Sequence, residues 1–295
     1  MDLLQGFETR RIDVEGLTLH CRIGGSGPPL LLLHGYPQTH AMWHKIAPDL
    51  ARDFTLVCPD LRGYGDSDKP LSDETHAAYS KRAMAADQAG LMAALGFERF
   101  SVAGHDRGGR VTHRLVLDYP KRIIAAAVLD IVPTLTVFQT TNQRLATAYY
   151  HWFFLIQPGG LPEHMIGADP DFYLTEKLKR WGRVPNAQDP AALTEYLRCF
   201  RDPATIHATC EDYRACAGID LEHDELDIER RIECPLLVLW GTRGLMETLY
   251  DVPKTWRERA ANVTPKSIDC GHFLPEEAPA ETMDAMKSFF GLHTG

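Results

Sequence analysis

Phe100-Ser101-Val102-Ala103-Gly104-His105-Asp106-Arg107-Gly108-Gly109-Arg110 is the stretch around which the rest of the chain is organised. Its first four residues make an apolar run of the kind found in buried strands. Gly104 ends the run, and Val111 to Leu117 has helical character. Between them, Gly104-His105-Asp106-Arg107-Gly108 has the form G-x-Nuc-x-G, in which small flanking residues permit a sharp strand-to-helix turn that lifts the central side chain clear of the sheet. An aspartate here could also simply cap the helix that follows. As a nucleophile, though, it differs from the serine common at this point. Serine needs a base to activate it, whereas a carboxylate is ionised at neutral pH and suits in-line displacement at a saturated carbon. Arg107, Arg110 and the helix N-terminus all favour its charged form. The predicted chemistry is therefore alkyl transfer to Asp106, followed by hydrolysis of the resulting ester.

Upstream, Arg10 to Val14 and Leu17 to Arg22 alternate as a strand pair around Glu15-Gly16. Pro29 to Leu33 is a continuous apolar run that fits a fully buried parallel strand. It leads into His34-Gly35-Tyr36-Pro37, of the form H-G-x-P. A loop at this place donates a backbone N–H to an oxyanion hole, so Tyr36 N–H and Arg107 N–H are the two expected donors. Met42 to Ala51 and Tyr79 to Leu95 read as helices, and Phe54 to Cys58 as a strand. The loop Pro59 to Ser67 is glycine-rich but lacks the Lys-Ser/Thr of a phosphate-binding loop.

Downstream, Ala125 to Leu129 is another buried strand, ending at Asp130. Strands and helices then stop alternating. From Pro133 to Ile232 the chain reads as helices rich in aromatic residues, three of them opened by Asp-Pro pairs at Asp169, Asp189 and Asp202. Strands resume at Pro235 to Trp240 and Val263 to Ile268, with a final helix from Pro275 to Phe290. This pattern predicts an α/β-hydrolase fold: a mostly parallel eight-stranded sheet with an inserted helical cap. The core would comprise residues 1–132 and 233–295, and the cap residues 133–232. In such sheets the chemistry lies at the carboxyl ends of the strands, where His34, Asp106 and Asp130 stand.

The acid that orients the histidine comes from one of two places in this fold, the end of the strand after the elbow helix or the loop after the first post-cap strand. The second loop is Trp240-Gly241-Thr242-Arg243-Gly244, where relatives often carry W-G-x-x-D. This chain has glycine at 244, so the acid is predicted to be Asp130. The histidine is predicted to be His272, which follows the last strand in the order nucleophile, acid, histidine.

The chain has 295 residues, 44% hydrophobic and 24% charged, with a net charge of -9 and no basic cluster, which argues against nucleic acid as a partner. The N-terminus lacks a secretory pattern, and no apolar run approaches membrane-spanning length. Seven scattered cysteines without a Cys-x-x-Cys pair point to free thiols in a reducing cytoplasm and to no zinc site. No metal or organic cofactor is implied.

With these motifs the whole chain resembles the haloacetate dehalogenases. The match around the nucleophile is His105-Asp106-Arg107-Gly108-Gly109-Arg110. The resemblance implies that Asp106 attacks the α-carbon of a small anionic haloacetate, with Asp130 and His272 completing the triad and Arg107 and Arg110 holding the substrate carboxylate. It further implies a halide site of His151, Trp152 and Tyr213, and a homodimer. His105, Tyr149 and Trp181 are expected to line the pocket. Two guanidinium groups suit carboxylate recognition, and a neutral epoxide or haloalkane would leave them unpaired. H-G-x-P and an aspartate elbow are shared with epoxide hydrolases and haloalkane dehalogenases. Tyr213 with Tyr149 or Tyr150 could instead polarise an epoxide oxygen, which makes epoxide hydrolysis the alternative. A non-catalytic binding protein of the same fold is a more distant alternative, because nucleophile, acid and histidine are all present.

Overall fold

The computed structural model describes residues 2–294. Eight strands form one sheet: β1 (Glu8–Val14), β2 (Leu17–Gly24), β3 (Pro29–Leu33), β4 (Thr55–Pro59), β5 (Phe100–His105), β6 (Ile123–Leu129), β7 (Leu236–Gly241) and β8 (Val263–Ile268). Their spatial order is β1-β2-β4-β3-β5-β6-β7-β8. β2 pairs antiparallel with β1 and with β4, and every other pairing is parallel. Central strands such as β3 and β5 are covered on both faces, which is why they read as unbroken apolar runs. Each leucine buried in β3 contributes about 1.5–3 kcal/mol of transfer free energy. β8, at an edge, alternates instead.

β3, β5 and β6 end side by side, in register at Leu33, Gly104 and Val128, and this brings the loop after β3, the elbow and Asp130 together. The elbow is as tight as the sequence implies. A Cβ on Gly104 would lie 2.2 Å from the Gly108 carbonyl oxygen, and one on Gly108 would lie 2.4 Å from that of His34. Backbone stands at both points, so neither position has room for a side chain. Asp106 itself adopts φ 47° and makes no side-chain cap to the helix Arg107–Asp118. A non-glycine residue in that region is strained, and such strain gathers at functional sites.

Eight helices between Thr134 and Leu226 cover the carboxyl ends of the strands. The three Asp-Pro starts behave as expected. Asp169 accepts from Phe172 N–H, Asp189 from Ala191 N–H and Asp202 from Ala204 N–H. Two expected helices differ. Met42 to Ala51 is a 3-10 turn, His40–Trp43, followed by the short helix Ala47–Leu50, whose start Pro48 favours. The final helix divides into Leu274–Glu277 and Pro279–Gly291 because Pro279 has no N–H to continue the first segment. Among the described residues, no helix is long and apolar enough to cross a membrane.

Candidate active site

Asp106 is buried at the floor of a cavity of about 320 Å³ between sheet and cap. Its Oδ1 accepts the Tyr36 N–H at 2.9 Å. The two loops approach so closely that a Cβ on Gly35 would fall 2.4 Å from Asp106 Cβ. Burial alone would raise the carboxyl pKa, but the charges of His272, Arg107 and Arg110 outweigh it and hold Asp106 below its ordinary value. It is an ionised carboxylate at neutral pH.

His272 stands between two carboxylates. Its Nδ1 lies 2.6 Å from Asp130 Oδ2, and its Nε2 lies 3.8 Å from Asp106 Oδ2. The first contact is a strong charge-assisted hydrogen bond; the second is too long for one and leaves space for a water to bridge. Burial disfavours the protonated ring, yet the hydrogen bond and charge of Asp130, aided by Asp106, raise its pKa above the ordinary histidine value. Asp130 is itself fixed by the Gly241 N–H, which donates to Oδ1 at 3.1 Å. A Cβ at Gly244 would lie 3.5 and 3.6 Å from the Asp130 carboxylate oxygens, so the two alternative acid positions converge on one place.

Two further histidines build the floor. His34 is buried, with Nδ1 3.0 Å from the Gly35 carbonyl and Nε2 accepting the Leu61 N–H at 3.0 Å. That pair of bonds requires the neutral tautomer protonated on Nδ1. His105 does not line the cavity as expected. It points beneath the site, where Nε2 donates to the His272 carbonyl at 2.8 Å, and burial together with the charge of His272 lowers its pKa to about 3. Its place follows from the pleat, because side chains of successive residues leave a strand on opposite faces.

The arginines part company. Arg107 was expected to hold the substrate carboxylate, but it is fully buried and already paired. Nε and Nη2 donate to the Asp212 carboxylate at 2.9 and 2.6 Å, Nη2 also donates to the Asp212 carbonyl, and the guanidinium lies 4.1 Å from the Tyr213 ring centroid. Asp212 also accepts from Tyr64 Oη at 2.7 Å and from Lys81 Nζ. Arg110 is different. It is buried, and its Nη1 donates only to the Val132 carbonyl at 3.1 Å and Thr134 Oγ1 at 3.0 Å. Its Nε has no partner, and its guanidinium lies 4.5 Å from the Trp152 ring centroid. Among the described residues it forms no ion pair.

The cap brings His151, Trp152 and Tyr213 together. Tyr213 has ring-centroid distances of 5.6 Å to His151 and 6.0 Å to Trp152. Tyr213 Oη and His151 Nδ1 are buried without hydrogen-bond partners. Burial, then the charge of Lys177, keeps the His151 pKa well below its ordinary value, so the ring is neutral. Tyr149, His151 and Trp181 line the cavity with Asp106, Asp130 and His272; Arg107, Arg110, Trp152 and Tyr213 are packed into its wall rather than exposed on it.

Residues 28–279 match the model of the alpha/beta hydrolase fold. The chain is 48% identical over 297 residues to a fluoroacetate dehalogenase from a Burkholderia species, covering 99% of this chain and 98% of that one. The chain belongs to the haloacetate dehalogenase family of α/β hydrolases. A crystal structure of an α/β hydrolase from Nostoc sp PCC 7120 superimposes with a TM-score of 0.95 at 59% identity, covering 96% of this chain and 98% of that one. A soluble epoxide hydrolase from Corynebacterium sp. (strain C12) is 33% identical, over 94% of this chain and 95% of its own length.

Within this dehalogenase-family site, sequence reasoning missed two residues. Asp212 precedes Tyr213 and neutralises Arg107 across 105 positions of chain; a lone acid in a helical segment gives no sign of its partner. Lys177 is buried between Tyr150, Tyr173 and Trp181. The spacing of 173, 177 and 181 puts these three on one helix face, which was a usable signal.

Proposed function

We propose that this protein is a haloacetate dehalogenase of the fluoroacetate dehalogenase type, hydrolysing a 2-haloacetate to glycolate and halide. The observation that carries the reading is Arg110, a buried guanidinium beside the nucleophile with no anionic partner among the described residues. A buried unpaired cation is costly, and a substrate carboxylate would supply the missing charge with bidentate geometry. Arg107 contributes its positive field while paired with Asp212, and its helix-initial N–H serves the oxyanion hole.

With the carboxylate on Arg110, the α-carbon lies over Asp106. One carboxylate oxygen is retained by Tyr36 N–H, and the free Oδ2 attacks. The new C–O bond forms as the carbon–halogen bond breaks, and the halide departs toward His151, Trp152 and Tyr213. These supply an N–H, an indole N–H and a hydroxyl for the developing anion. In the second stage His272 Nε2 takes a proton from a water, which attacks the ester carbonyl carbon of Asp106. The oxyanion forms at the oxygen held by Tyr36 and Arg107 N–H groups. Asp130 stabilises the imidazolium, which protonates the departing glycolate oxygen as its bond to the tetrahedral carbon breaks; Asp106, left as the acid, gives the second water proton to solvent and is a carboxylate again. The cap supplies the halide's surroundings, and the substrate is a small anion; homodimer formation, as the family resemblance implies, is checked by sedimentation.

Epoxide hydrolysis is the second reading. The unpartnered Tyr213 hydroxyl, with Tyr149 in the cavity wall, could donate to an epoxide oxygen. It leaves Arg110 without a counter-charge. Incubating the protein with fluoroacetate at a fluoride electrode, and in parallel with styrene oxide, separates the two. Fluoride release is expected; diol formation with no halide released from any haloacetate would overturn the assignment.

A further inference from the structure

Lys177 is a buried amine that the reaction above leaves unused. It sits on the cap helix Pro170–Trp181, and its Nζ has no hydrogen-bond partner. Instead it lies 3.6 Å from the Tyr150 ring centroid, 5.0 Å from that of Tyr173 and 5.6 Å from that of Trp181. Trp181 is the shared wall, since its ring centroid is also 4.6 Å from that of His151, the first of the halide donors. After burial, the charge of Lys177 is the largest influence on His151. An amine enclosed by aromatic faces is stabilised as a cation by their quadrupoles, but three rings do not replace an anion.

The displacement supplies one. Before it, the negative charge sits on Asp106; after it, Asp106 is a neutral ester and the charge has moved to the halide beneath the cap. Arg107 is committed to Asp212, and Arg110 is committed to the substrate carboxylate in the proposed reaction. The His151, Trp152 and Tyr213 donors are neutral. We propose that the Lys177 ammonium is the counter-cation of the departing halide, a positioning group acting behind His151, and that the cap therefore carries a halide-binding site that fills and empties with protonation of this lysine. This rests on the haloacetate reading for its place in the reaction, but the site binds halide with or without turnover. No covalent step is involved: the amine takes a proton from solvent as the halide forms, and both leave afterwards.

Burial, then the charge of Arg180 on the same helix, lowers the Lys177 pKa to about 7. The titratable groups that face it are the Tyr150 and Tyr173 phenols, both with pKa values raised by burial, and neutral His151. Protonated Lys177 predominates below that value, so halide affinity is greatest there and falls as pH rises. His272 titrates with the same sign from a pKa raised above the ordinary value, so pH dependence in the wild type alone does not assign the effect.

The test is a titration of the intact protein with sodium chloride and sodium fluoride, read by tryptophan fluorescence from about pH 6 to pH 9. The expected wild-type result is binding that weakens by up to about tenfold per pH unit above pH 7, the limit for one linked proton. Lys177→Met should weaken binding at pH 6 by about tenfold and flatten the profile. Lys177→Arg, always protonated, should bind halide more tightly than the wild type at pH 9 and show a shallower fall with pH; it also guards against a Met variant that does not fold. Wild-type binding that is absent or independent of pH, or a Lys177→Met profile that keeps the wild-type slope, would overturn the proposal. Failure to release fluoride from fluoroacetate, with halide binding as described, would sink the haloacetate reading and leave this site standing.

Discussion

Arg107 Nη2 lies 2.6 Å from Asp212 Oδ1, and both side chains are completely buried. This pair fixes the residue next to the nucleophile from the cap side, so it joins the two parts of the molecule as well as the charges around Asp106. Asp212→Asn keeps the shape and removes the charge. It leaves Arg107 uncompensated, which costs about 3–5 kcal/mol for a buried pair broken on one side. Chemical denaturation should record that loss. A variant as stable as the wild type would show that the pair contributes nothing beyond packing.

Arg110 should behave in the opposite way. It has no ion pair among the described residues, so Arg110→Leu should be tolerated by the fold and should weaken haloacetate turnover by about tenfold to 150-fold, the worth of a charge-assisted bond of ~1.5–3 kcal/mol. Steady-state kinetics with fluoroacetate and with a neutral haloalkane would check this. Equal losses on both substrates would remove Arg110 from carboxylate recognition.

Trp152→Phe retains aromatic bulk and removes one N–H. If the indole donates to the leaving halide, the displacement step should slow by about 2–4 kcal/mol, or roughly 30- to 1,000-fold, for fluoroacetate. The loss should be smaller for chloroacetate, because chloride departs more readily unaided. Single-turnover rates are required, since ester hydrolysis can mask displacement. Losses of equal size would make Trp152 a packing residue.

The two stages should also differ in pH dependence. Asp106 is held below the ordinary carboxylate value, so in the proposed reaction displacement does not slow as pH falls from neutral into the ordinary carboxylate range. In the proposed reaction ester hydrolysis needs neutral His272, whose pKa is raised above the ordinary histidine value in the free protein, so that stage slows as pH falls. Asp106 is among the groups that raise it, and esterification removes that charge. The pKa read from single-turnover hydrolysis should thus lie below the one read for His272 by NMR in the free protein. A hydrolysis pKa at or above the free value would contradict the assignment of His272 as base. Asp130→Asn should slow the same stage by on the order of 10³-fold or more.

Much of this site could be read before the structure, for physical reasons. The elbow is local: Gly104 and Gly108 are required by backbone approach, and the pattern G-x-Asp-x-G states that requirement directly. Asp130 followed from Gly244, and their common location explains why one can serve for the other. The helix starts at Asp169, Asp189 and Asp202 were equally local. What was misplaced or missed depended on a partner without a motif of its own or on the face of a strand. Arg107 looked available because its partner, Asp212, lies across the cap. His105 looked like a pocket residue because adjacency in sequence is not adjacency on a strand face. Lys177 carries no motif, and its environment is defined only by the rings that the fold packs around it.

In the proposed reaction Asp106 becomes esterified by the haloacetate, and His272 is needed only to release it. The direct measurement is mass spectrometry of His272→Ala after incubation with fluoroacetate. One equivalent of fluoride and a trapped adduct of about 58 Da on the peptide containing Asp106 are expected. An unmodified Asp106 peptide, with fluoride still released or with none, would contradict that reaction.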